Sequence, residues 1–497
     1  MSDPISTEEQ LIAKRREKLE ALRESLGSNP YRNGFKRDSL AENLQSEYSD
    51  TTSEQLVTLK QKVSIAGRLM TQRIMGKASF AHIRDMTGDI QIYVKRDSLP
   101  EGVYQDFKKW DLGDIVFARG EMFRTQKGEL SVLVDEISLV TKSLRPLPEK
   151  WHGLSDLESR YRQRYLDLIM SDSSRDMFRK RTHVINFVRQ FLTKRDFLEV
   201  ETPVLQPIYG GANARPFTTH HNALDQKLYL RIADELYLKR LIIGGFDRVY
   251  EIAKDFRNEG MDKNHNPEFT MLEFYWAYAD YEDNMNLVEK MLRSVADSIG
   301  KTKINWGEMT IDLSKPFKKR PILELLNEAT GEDLADFSEE KLREVCKSNN
   351  VDIESNYNYG QMLDALMSEL VEPKLIQPTF VIDYPKAISP LAKKHRNGNQ
   401  NLVERFELFI GGSELANSFT ELNDPIDQRD RFESQVRLAE GGDDEAHPID
   451  ENFLEAIECG MPPTAGVGIG IDRLVMLLTE NVTIKEVILF PSMRSEE

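Results

Sequence analysis

The stretch from Phe246 to Tyr278 constrains the fold of this chain more than any other. Apolar and polar residues alternate in two segments, which flank a polar, Gly/Asn-rich segment at residues 260–266. A period of two places successive side chains on opposite faces of a strand. A polar segment rich in glycine and asparagine is typical of a turn. The stretch therefore predicts two strands joined by a loop, with one face toward a core.

The two faces of this predicted hairpin differ in chemistry. The apolar face carries Tyr250, Ile252, Phe256, Leu272, Phe274 and Trp276. The other face carries Glu251, Asp255, Arg257, Phe269, Glu273 and Tyr275. A guanidinium binds phosphate oxygens in bidentate fashion, an aromatic ring stacks on a nucleobase, and carboxylates bind amines. An ordinary solvated face is the alternative interpretation, and alternation alone leaves both open.

Composition narrows the class of protein. A length of 497 residues predicts about three domains. The sequence has no run of about 18 apolar residues and no basic N-terminal region followed by an apolar core, so we expect neither a membrane span nor a secretory signal. The two cysteines, Cys346 and Cys459, argue against a disulfide framework and a cysteine-rich zinc site. These features predict a cytoplasmic protein.

The net charge of −17 bears on any nucleic-acid partner. Binding to nucleic acid requires a basic surface, so in an acidic protein the positive charge must be local. Residues 63–96 contain six lysines and arginines against two aspartates. This stretch is the candidate surface.

The pattern along the chain indicates its domains. We expect residues 1–60 to form an N-terminal helical extension, with an amphipathic helix over 7–26. Several short alternating segments in residues 61–145 predict a small β-barrel. Residues 146–155 contain two prolines and no periodicity, which is typical of a linker. Residues 156–497 then form a second domain.

Three motifs of the second domain resemble those of class II aminoacyl-tRNA synthetases, in the form found in lysyl-tRNA synthetases. The runs F-R-N-E-G and H-N-P-E-F-T-M-L-E, within residues 246–278, resemble motif 2. An apolar-striped helix and a strand ending in proline, at about 176–203, resemble motif 1. The run G-V-G-I-G-I-D-R and the apolar helix after it, at about 466–478, resemble motif 3. The resemblance covers nearly the whole chain.

The resemblance implies an α+β fold. Residues 61–145 would form an N-terminal OB-fold β-barrel that binds the anticodon. Residues 156–497 would form the class II antiparallel β-sheet catalytic domain flanked by helices, with a helical insertion at about 301–395. Motif 1 would build a homodimer interface.

The resemblance also implies a function: activation of L-lysine with ATP to lysyl-adenylate, then transfer of the lysyl group to the 3′ end of tRNA(Lys). Arg257 would be the catalytic residue. The ATP-binding residues would be Arg257, Glu259, His265, Phe269 and Arg473. The lysine-binding residues would be Gly211, Glu235, Glu273, Tyr275, Asn417 and Glu421, with Tyr275 and Glu421 at the ε-ammonium. The anticodon contacts would be Arg68, Arg73, Phe80 and Gln91. Glu407 and Glu414 would bind Mg²⁺, with up to three ions per site when ATP is bound.

The segment at residues 405–422 makes a geometric prediction. A two-residue turn at Gly411 and Gly412 would put Glu407 and Glu414 on one face of a hairpin. Asn417 falls out of phase with them, as does Glu421. If all four serve one site, as the resemblance implies, the second strand must bulge between positions 414 and 417.

Three other functions compete. A synthetase for aspartate or asparagine shares the domain plan, but Glu421 at the matched side-chain position favours an amine. The paralogue that transfers lysine to a protein acceptor, elongation factor P, lacks the N-terminal barrel that residues 61–145 predict here. A non-enzymatic RNA-binding relative would have lost motif residues that are present in this chain.

Overall fold

The computed structural model describes residues 7–26, 29–148, 156–335, 338–355, 357–440 and 448–495. The chain divides into two compact units, Met1–Ser155 and Asp156–Glu497. The start of the expected helical extension, residues 1–6, and most of the expected linker, residues 149–155, lie outside the described residues. Every helix in the described part of the chain is too short or too polar to cross a membrane.

The first unit is a barrel preceded by helices. Its elements in chain order are α1 (Thr7–Leu26), α2 (Ala41–Glu47), α3 (Ser53–Leu59), β1 (Lys62–Met75), β2 (Ala78–Arg84), β3 (Asp89–Lys95), α4 (Val103–Phe107), β4 (Ile115–Arg124) and β5 (Leu130–Thr141). The five strands close in the order β1-β2-β3-β5-β4, with β3 and β5 parallel. The predicted barrel is confirmed. Alternate residues such as Ile65, Ile83 and Ile92 fill its interior, because a period of two sends every second side chain inward.

The second unit is a central sheet covered by helices. Its helices are α5 (Leu157–Arg162), α6 (Arg164–Met170), α7 (Asp172–Thr193), α8 (Glu235–Ile243), α9 (Tyr281–Ser298), α10 (Ile322–Thr330), α11 (Glu339–Ser348), α12 (Tyr359–Leu366), α13 (Pro425–Glu440), α14 (Glu451–Glu458), α15 (Ile471–Leu478) and α16 (Ile484–Val487). Its strands are β6 (Leu198–Glu199), β7 (Leu205–Gln206), β8 (Thr218–His221), β9 (Gln226–Leu230), β10 (Arg248–Phe256), β11 (Glu268–Ala277), β12 (Lys303–Trp306), β13 (Met309–Asp312), β14 (Lys318–Pro321), β15 (Thr379–Ile382), β16 (Arg405–Ile410), β17 (Ser413–Thr420) and β18 (Thr464–Gly470).

The central sheet has eight strands in the order β14-β15-β16-β17-β18-β11-β10-β6. The six inner strands pair antiparallel, and the two edge strands, β14 and β6, pair parallel. The predicted α+β class, with an N-terminal barrel and an antiparallel sheet flanked by helices, is confirmed. The predicted hairpin of residues 246–278 is the β10–β11 pair, in which Tyr250 lies opposite Phe274 and Glu251 opposite Glu273.

One face of the sheet packs on α7, α9 and α15 and forms the main core. The apolar stripe of α7, which includes Val184, Val188 and Leu192, is buried in this core. The stripe thus packs within its own chain rather than facing a partner. The opposite face of the inner strands carries the polar side chains considered below.

Residues 301–395, expected to form a helical insertion, contain both helices and strands. Helices α10, α11 and α12 do form there, and α12 continues into a π-helical turn, Met367–Val371. The stretch also contains the β12–β13 hairpin and two strands of the central sheet, β14 and β15. Ile304 and Ile311 lie opposite each other on the hairpin and are both fully buried, which fixes it to the core. Gly307, with φ of 60°, lies in the turn of the β12–β13 hairpin. A glycine at this position was the sequence signal for the turn.

Candidate active site

A cavity of about 390 Å³ lies over the polar face of the central sheet. Twelve of the predicted site residues line it: Gly211, Glu235, Arg257, Glu259, His265, Phe269, Glu273, Tyr275, Glu407, Glu414, Asn417 and Arg473. Glu421 lies directly behind the wall, because a Cβ on the lining residue Gly466 would overlap its Oε1. The structure thus brings together residues of motifs 2 and 3 and of the hairpin at 405–422. The predicted barrel residues belong to the other unit.

Two arginines mark one end of the cavity. Arg257 lies over the Phe269 ring, with its Cζ 5.1 Å from the centroid, and its buried Nε has no hydrogen-bond partner among the described residues. Arg473 donates from Nη1 to the main-chain oxygen of Glu414, at 2.7 Å, and its Nη2 lies 3.1 Å from Nε2 of His265. Guanidinium groups with free N–H donors suit phosphate oxygens.

The glycines of β18 form part of the cavity wall. Gly466, Gly468 and Gly470 alternate along the strand and all line the cavity. A Cβ on Gly468 would lie 3.0 Å from Cε of Met271, and one on Gly466 would overlap the Tyr275 ring. A side chain at Gly466 or Gly468 would meet Glu421, Tyr275 or Met271, so these glycines make room for the neighbouring side chains of the cavity wall.

The other end of the cavity is rich in buried carboxyl groups. Glu235 and Glu273 are each 5% exposed, and Glu421 is fully buried. Burial, together with the nearby Asp255 and Glu235, raises the pKa of Glu273 to about 8. Carboxylates removed from water require a cation or a proton, so this end of the cavity suits a ligand with ammonium groups.

The hydroxyl of Tyr275 has a different partner from the expected one. It donates to Oε2 of Glu273, at 3.1 Å. The resemblance had paired Tyr275 with Glu421 at the ε-ammonium. Its ring nevertheless lies beside Gly466, at the wall in front of Glu421. Tyr275 therefore shapes the pocket with its ring and holds Glu273 with its hydroxyl.

Lys239 is the main site residue that sequence reasoning missed. Its ammonium is fully buried and forms ion pairs with Oε1 of Glu235 and Oε2 of Glu421. The i,i+4 spacing of Glu235 and Lys239 on a helix was an available signal for the first pair. No local pattern pointed to the second, because Glu421 is distant in sequence. Glu421, expected to bind the ε-ammonium of the substrate, therefore already has a cationic partner within the chain.

A second buried charge network lies next to Glu273 and was also missed. Carboxylate oxygens of Asp234, Asp255 and Glu273 all lie within 4.8 Å of one another. Arg231 lies among them, with Nη1 3.0 Å from Asp234 and 2.8 Å from Glu251. Burial raises the pKa of Asp255 to about 6, against the opposing charges of Arg231 and Arg257.

The predicted bulge in the second hairpin strand is confirmed. Ile410 pairs with Ser413 and Phe409 with Glu414, but Leu408 then pairs with Ala416, so that Leu415 is the extra residue. Beyond the bulge Glu407 lies opposite Asn417. The extra residue shifts the phase of β17, so that Glu414 and Asn417 both face the cavity.

Glu407 and Glu414 fit a Mg²⁺ site. Glu407 accepts hydrogen bonds from the Tyr384 hydroxyl (2.8 Å), from Asn417 Nδ2 (3.2 Å) and from Arg405 Nη2 (2.5 Å). Burial, reinforced by Glu414 and opposed by Arg405, raises its pKa to about 7. Two carboxylates on neighbouring strands, Glu407 beside Arg405 and Glu414 with Oε2 3.6 Å from Arg473 Nη1, are the oxygen donors that Mg²⁺ takes alongside phosphate and water.

The predicted anticodon residues share the outer face of the barrel. Arg73, Phe80 and Tyr93 lie opposite one another on β1, β2 and β3, and the rings of Phe80 and Tyr93 stack with centroids 4.4 Å apart. Gln91 is largely buried and donates to Oε2 of Glu129, at 2.8 Å. Arg68 is half-buried and donates to the main-chain oxygen of Gly113. A half-buried ring beside an amide and an arginine suits a single-stranded nucleic acid.

Comparison with known proteins agrees with this geometry. Residues 156–494 match the family of tRNA synthetases class II (D, K and N), and residues 63–140 match the OB-fold nucleic acid binding domain. The lysine–tRNA ligase of Idiomarina loihiensis is 54% identical over 97% of this chain and 96% of its own length. Those of Aeromonas hydrophila (54%, 98% and 96%) and Escherichia coli K12 (52%, 97% and 95%) are similar. The chain therefore belongs to the class II tRNA synthetases of the D, K and N group, with an OB-fold domain before the catalytic domain.

Proposed function

We propose that this chain is a lysine–tRNA ligase, which activates L-lysine with ATP and transfers the lysyl group to the 3′ end of tRNA(Lys). One observation carries the proposal. A single cavity has two arginines at one end and, at the other, three carboxyl groups buried at or behind its wall. The arginines match the phosphates of a nucleoside triphosphate. The carboxyl groups match an amino acid with two ammonium groups.

The first step needs no protein nucleophile. An oxygen of the lysine carboxylate attacks the α-phosphorus of ATP, and the bond to the β-phosphate oxygen breaks, which releases pyrophosphate and leaves lysyl-adenylate. Arg257 stabilises charge on the α-phosphate and orients the substrate carboxylate. Arg473 and His265 bind the terminal phosphates, and Phe269 with Glu259 holds adenine. Catalysis here is mainly positioning and charge stabilisation.

In the second step a terminal hydroxyl of tRNA attacks the carbonyl carbon of lysyl-adenylate. The carbonyl carbon forms an ester with the tRNA oxygen, its bond to the phosphate breaks, and AMP leaves. The proton of the hydroxyl is released to solvent water as the ester forms. The catalytic domain supplies the fixed position of the adenylate, for which Arg257 and Glu235 are the proposed anchors.

Selection of lysine rests on charge. Glu235 and Glu273 bind the α-ammonium beside Gly211, and Glu421 binds the ε-ammonium, with Asn417 and the Tyr275 ring on the same wall. Leucine or methionine would leave Glu421 without its substrate partner, at a penalty of several kcal/mol by order of magnitude. Aspartate would bring a like charge to Glu421, which disfavours the aspartate alternative.

Glu407 and Glu414 are the proposed ligands of Mg²⁺, with up to three ions in the ATP complex. The metal neutralises phosphate charge when it is bound. The two carboxylates hold it on the wall of the cavity, and Arg405, Asn417 and Tyr384 fix the orientation of Glu407.

The first unit is the proposed tRNA-binding part, with residues 1–60 as a helical extension, 61–145 as the anticodon-binding domain and 146–155 as the linker to the catalytic domain at 156–497. Phe80 stacks on an anticodon base, and Gln91 reads a base edge. Arg68 and Arg73 supply positive charge. Protein synthesis in the cytoplasm is the proposed setting.

We also propose a homodimer through motif 1. Leu198, Val204 and Leu205 are 46%, 39% and 49% exposed, and β6 is an edge strand of the central sheet. An exposed apolar side chain on an edge strand, as Leu198 is on β6, favours burial against a partner. Replacing Leu198 by Asp should shift the sedimentation coefficient from dimer to monomer, and an unchanged value would contradict this interface.

The experiment that tests the proposed function is ATP–pyrophosphate exchange with each of the twenty amino acids. We expect exchange with lysine and background exchange with aspartate and asparagine. Charging of tRNA(Lys) with labelled lysine then tests the transfer step. Exchange driven by a different amino acid, or lysine activation without transfer to tRNA, would overturn the proposal.

A further inference from the structure

The buried Lys239 lies behind both ends of the proposed lysine pocket. It lies one helical turn after Glu235 on α8, its side chain is fully buried, and its ammonium contacts both Glu235 and Glu421. Its Nζ is also 5.3 Å from the ring centroid of Phe419 and 5.8 Å from that of Phe453. Two carboxylates that are expected to bind opposite ends of the substrate thus share one internal cation.

The remaining oxygens of the two carboxylates point the other way. Oε2 of Glu235 lies 3.8 Å from the place that a Cβ would take on Gly211. Oε1 of Glu421 lies against Gly466, so closely that a Cβ there would overlap it. Both glycines line the cavity. Glu235 thus has one oxygen at Lys239 and the other near Gly211 in the cavity wall, and Glu421 has one oxygen at Lys239 and the other buried against Gly466.

We propose that Lys239 is a positioning residue for amino-acid selection: it fixes Glu235 and Glu421 by one oxygen each, so that their other oxygens form the two ammonium-binding points of the pocket. This inference rests on the proposed function, since it assumes that the substrate is a diamine. Lys239 does not contact the substrate. It acts through the two carboxylates.

The surrounding charges support this role. On its own helix the ammonium faces Glu235, and directly after β17 it faces Glu421; both raise the pKa of Lys239 against the effect of burial, so that it stays charged. Burial raises the pKa of each of these two carboxyls, and Lys239 opposes that rise in both. Without it, two buried carboxyls would remain side by side and would share a proton.

The other titratable groups near this pair do not replace Lys239. On β11, Glu273 adds negative charge that raises the pKa of Glu421, and the Tyr275 hydroxyl is bound to Glu273. On β16, Arg405 is paired with Glu407. Before α14, Asp450 is paired with Arg240, at 2.6 Å. Among the described residues, Lys239 is thus the cation that contacts both carboxylates.

The test is the Lys239→Met variant, which keeps the length and removes the charge. Lysine-dependent ATP–pyrophosphate exchange is measured from pH 6.5 to 9, with KM for lysine, KM for ATP and kcat determined separately. We expect KM for lysine at pH 7 to rise about tenfold or more, which is the effect of a shift of one unit in the pKa of the carboxyl pair Glu235 and Glu421. The KM should recover as rising pH removes the proton that the two carboxyls share. KM for ATP should change less than about twofold, because the change affects only the carboxyls of the lysine pocket.

Two controls separate positioning from loss of structure. Lys290→Met makes the same change on an exposed position of α9 and should leave all three constants unchanged. Lys239→Gln is a second buried variant, used if the methionine variant fails to fold, and should show the same pH-dependent KM. Competition by 6-hydroxynorleucine, whose side chain is uncharged, should strengthen relative to lysine in both Lys239 variants.

The outcomes are distinct. A fall in KM for lysine would show that Lys239 competes with the substrate and would overturn the inference. So would an unchanged KM, or an equal loss for lysine and ATP at every pH. If the unaltered protein shows no lysine-dependent exchange, the proposed function fails whatever the variants do.

Discussion

The barrel and the catalytic sheet both present functional side chains on one face of a β-structure, but they bury them to different extents. On the barrel, Phe80 and Tyr93 are half-buried and Arg73 is exposed. In the catalytic cavity, Glu273 and Glu421 are almost or fully buried. The proposed anticodon face thus keeps its rings partly in contact with water, whereas the cavity holds its carboxyl groups away from water.

This difference predicts how each surface responds to change. Stacking contributes a modest free energy per base and tolerates substitution of its neighbours. A buried carboxylate is satisfied only when a cation or a proton reaches it, so its loss or its mispairing has a large effect. The catalytic cavity should therefore discriminate strongly between amino acids. The barrel should change only the affinity for tRNA.

The largest expected effect is that of Glu421→Gln, which removes the charge and keeps the shape. It breaks the pair with Lys239 and takes away the ε-ammonium partner, for a loss of about 3 kcal/mol or more. Lysine-dependent exchange should fall at least a hundredfold in kcat/KM, with KM for ATP nearly unchanged. Glu433→Gln, on an exposed position of α13, is the matched control. Exchange at the unaltered rate would refute the role of Glu421.

Arg257→Ala should come next, with an effect on kcat rather than on KM for lysine. Removing a preorganised donor from a reacting group lowers kcat by roughly 10²–10³-fold in comparable sites. Single-turnover formation of lysyl-adenylate measures this step directly. A loss confined to KM for ATP would mean that Arg257 only binds the nucleotide.

A smaller effect is expected on the barrel. Phe80→Ala removes the ring stacked on Tyr93. The lost stacking free energy of about 1–3 kcal/mol should raise KM for tRNA roughly 5- to 150-fold. Adenylate formation should be unchanged. Phe35→Ala, which removes a half-buried ring that contacts Phe117 instead, is the control. An equal loss in adenylate formation and in transfer to tRNA would show that Phe80 does not act through tRNA binding alone.

The smallest effect concerns the stability of the catalytic unit. The pKa of Glu273 is raised from 4.5 to about 8, so its folded state favours the neutral acid. That contribution is fully present below pH 4.5 and is lost as the pH rises through 8. The Tm of Glu273→Gln minus that of the unaltered protein should therefore increase by a few degrees between pH 5 and 9. A constant difference, measured by calorimetry, would contradict the raised pKa.

Much of this site was predictable from sequence, because alternation determines the face on which a side chain lies. The polar face of β11 carries Phe269 and Glu273 as predicted, and Arg257, directly after β10, lines the same cavity. The bulge at Leu415 followed from requiring Glu414 and Asn417 to face one site. The motifs then indicated which of several polar faces meet at one cavity.

The contacts within that face were not predictable. Alternation does not determine which charges touch, so the pair between Lys239 and Glu421 and the network around Arg231 carried no local signal. The β12–β13 hairpin was missed because two four-residue strands give too short a pattern to separate from a loop. These features depend on the tertiary arrangement of segments that are distant in sequence.

The central claim is that ammonium groups of the substrate replace protons on carboxyls buried in the cavity, and proton release on lysine binding tests it most directly. Glu273, with a pKa of about 8, is mainly protonated at pH 7 and should ionise when the α-ammonium binds beside it. Calorimetric titration of lysine in buffers of different ionisation enthalpy measures the protons released. We predict a release approaching about one proton at pH 7, with less at pH 9 and less in Glu273→Gln. Equal proton counts for the unaltered protein and Glu273→Gln at pH 7 would contradict the account.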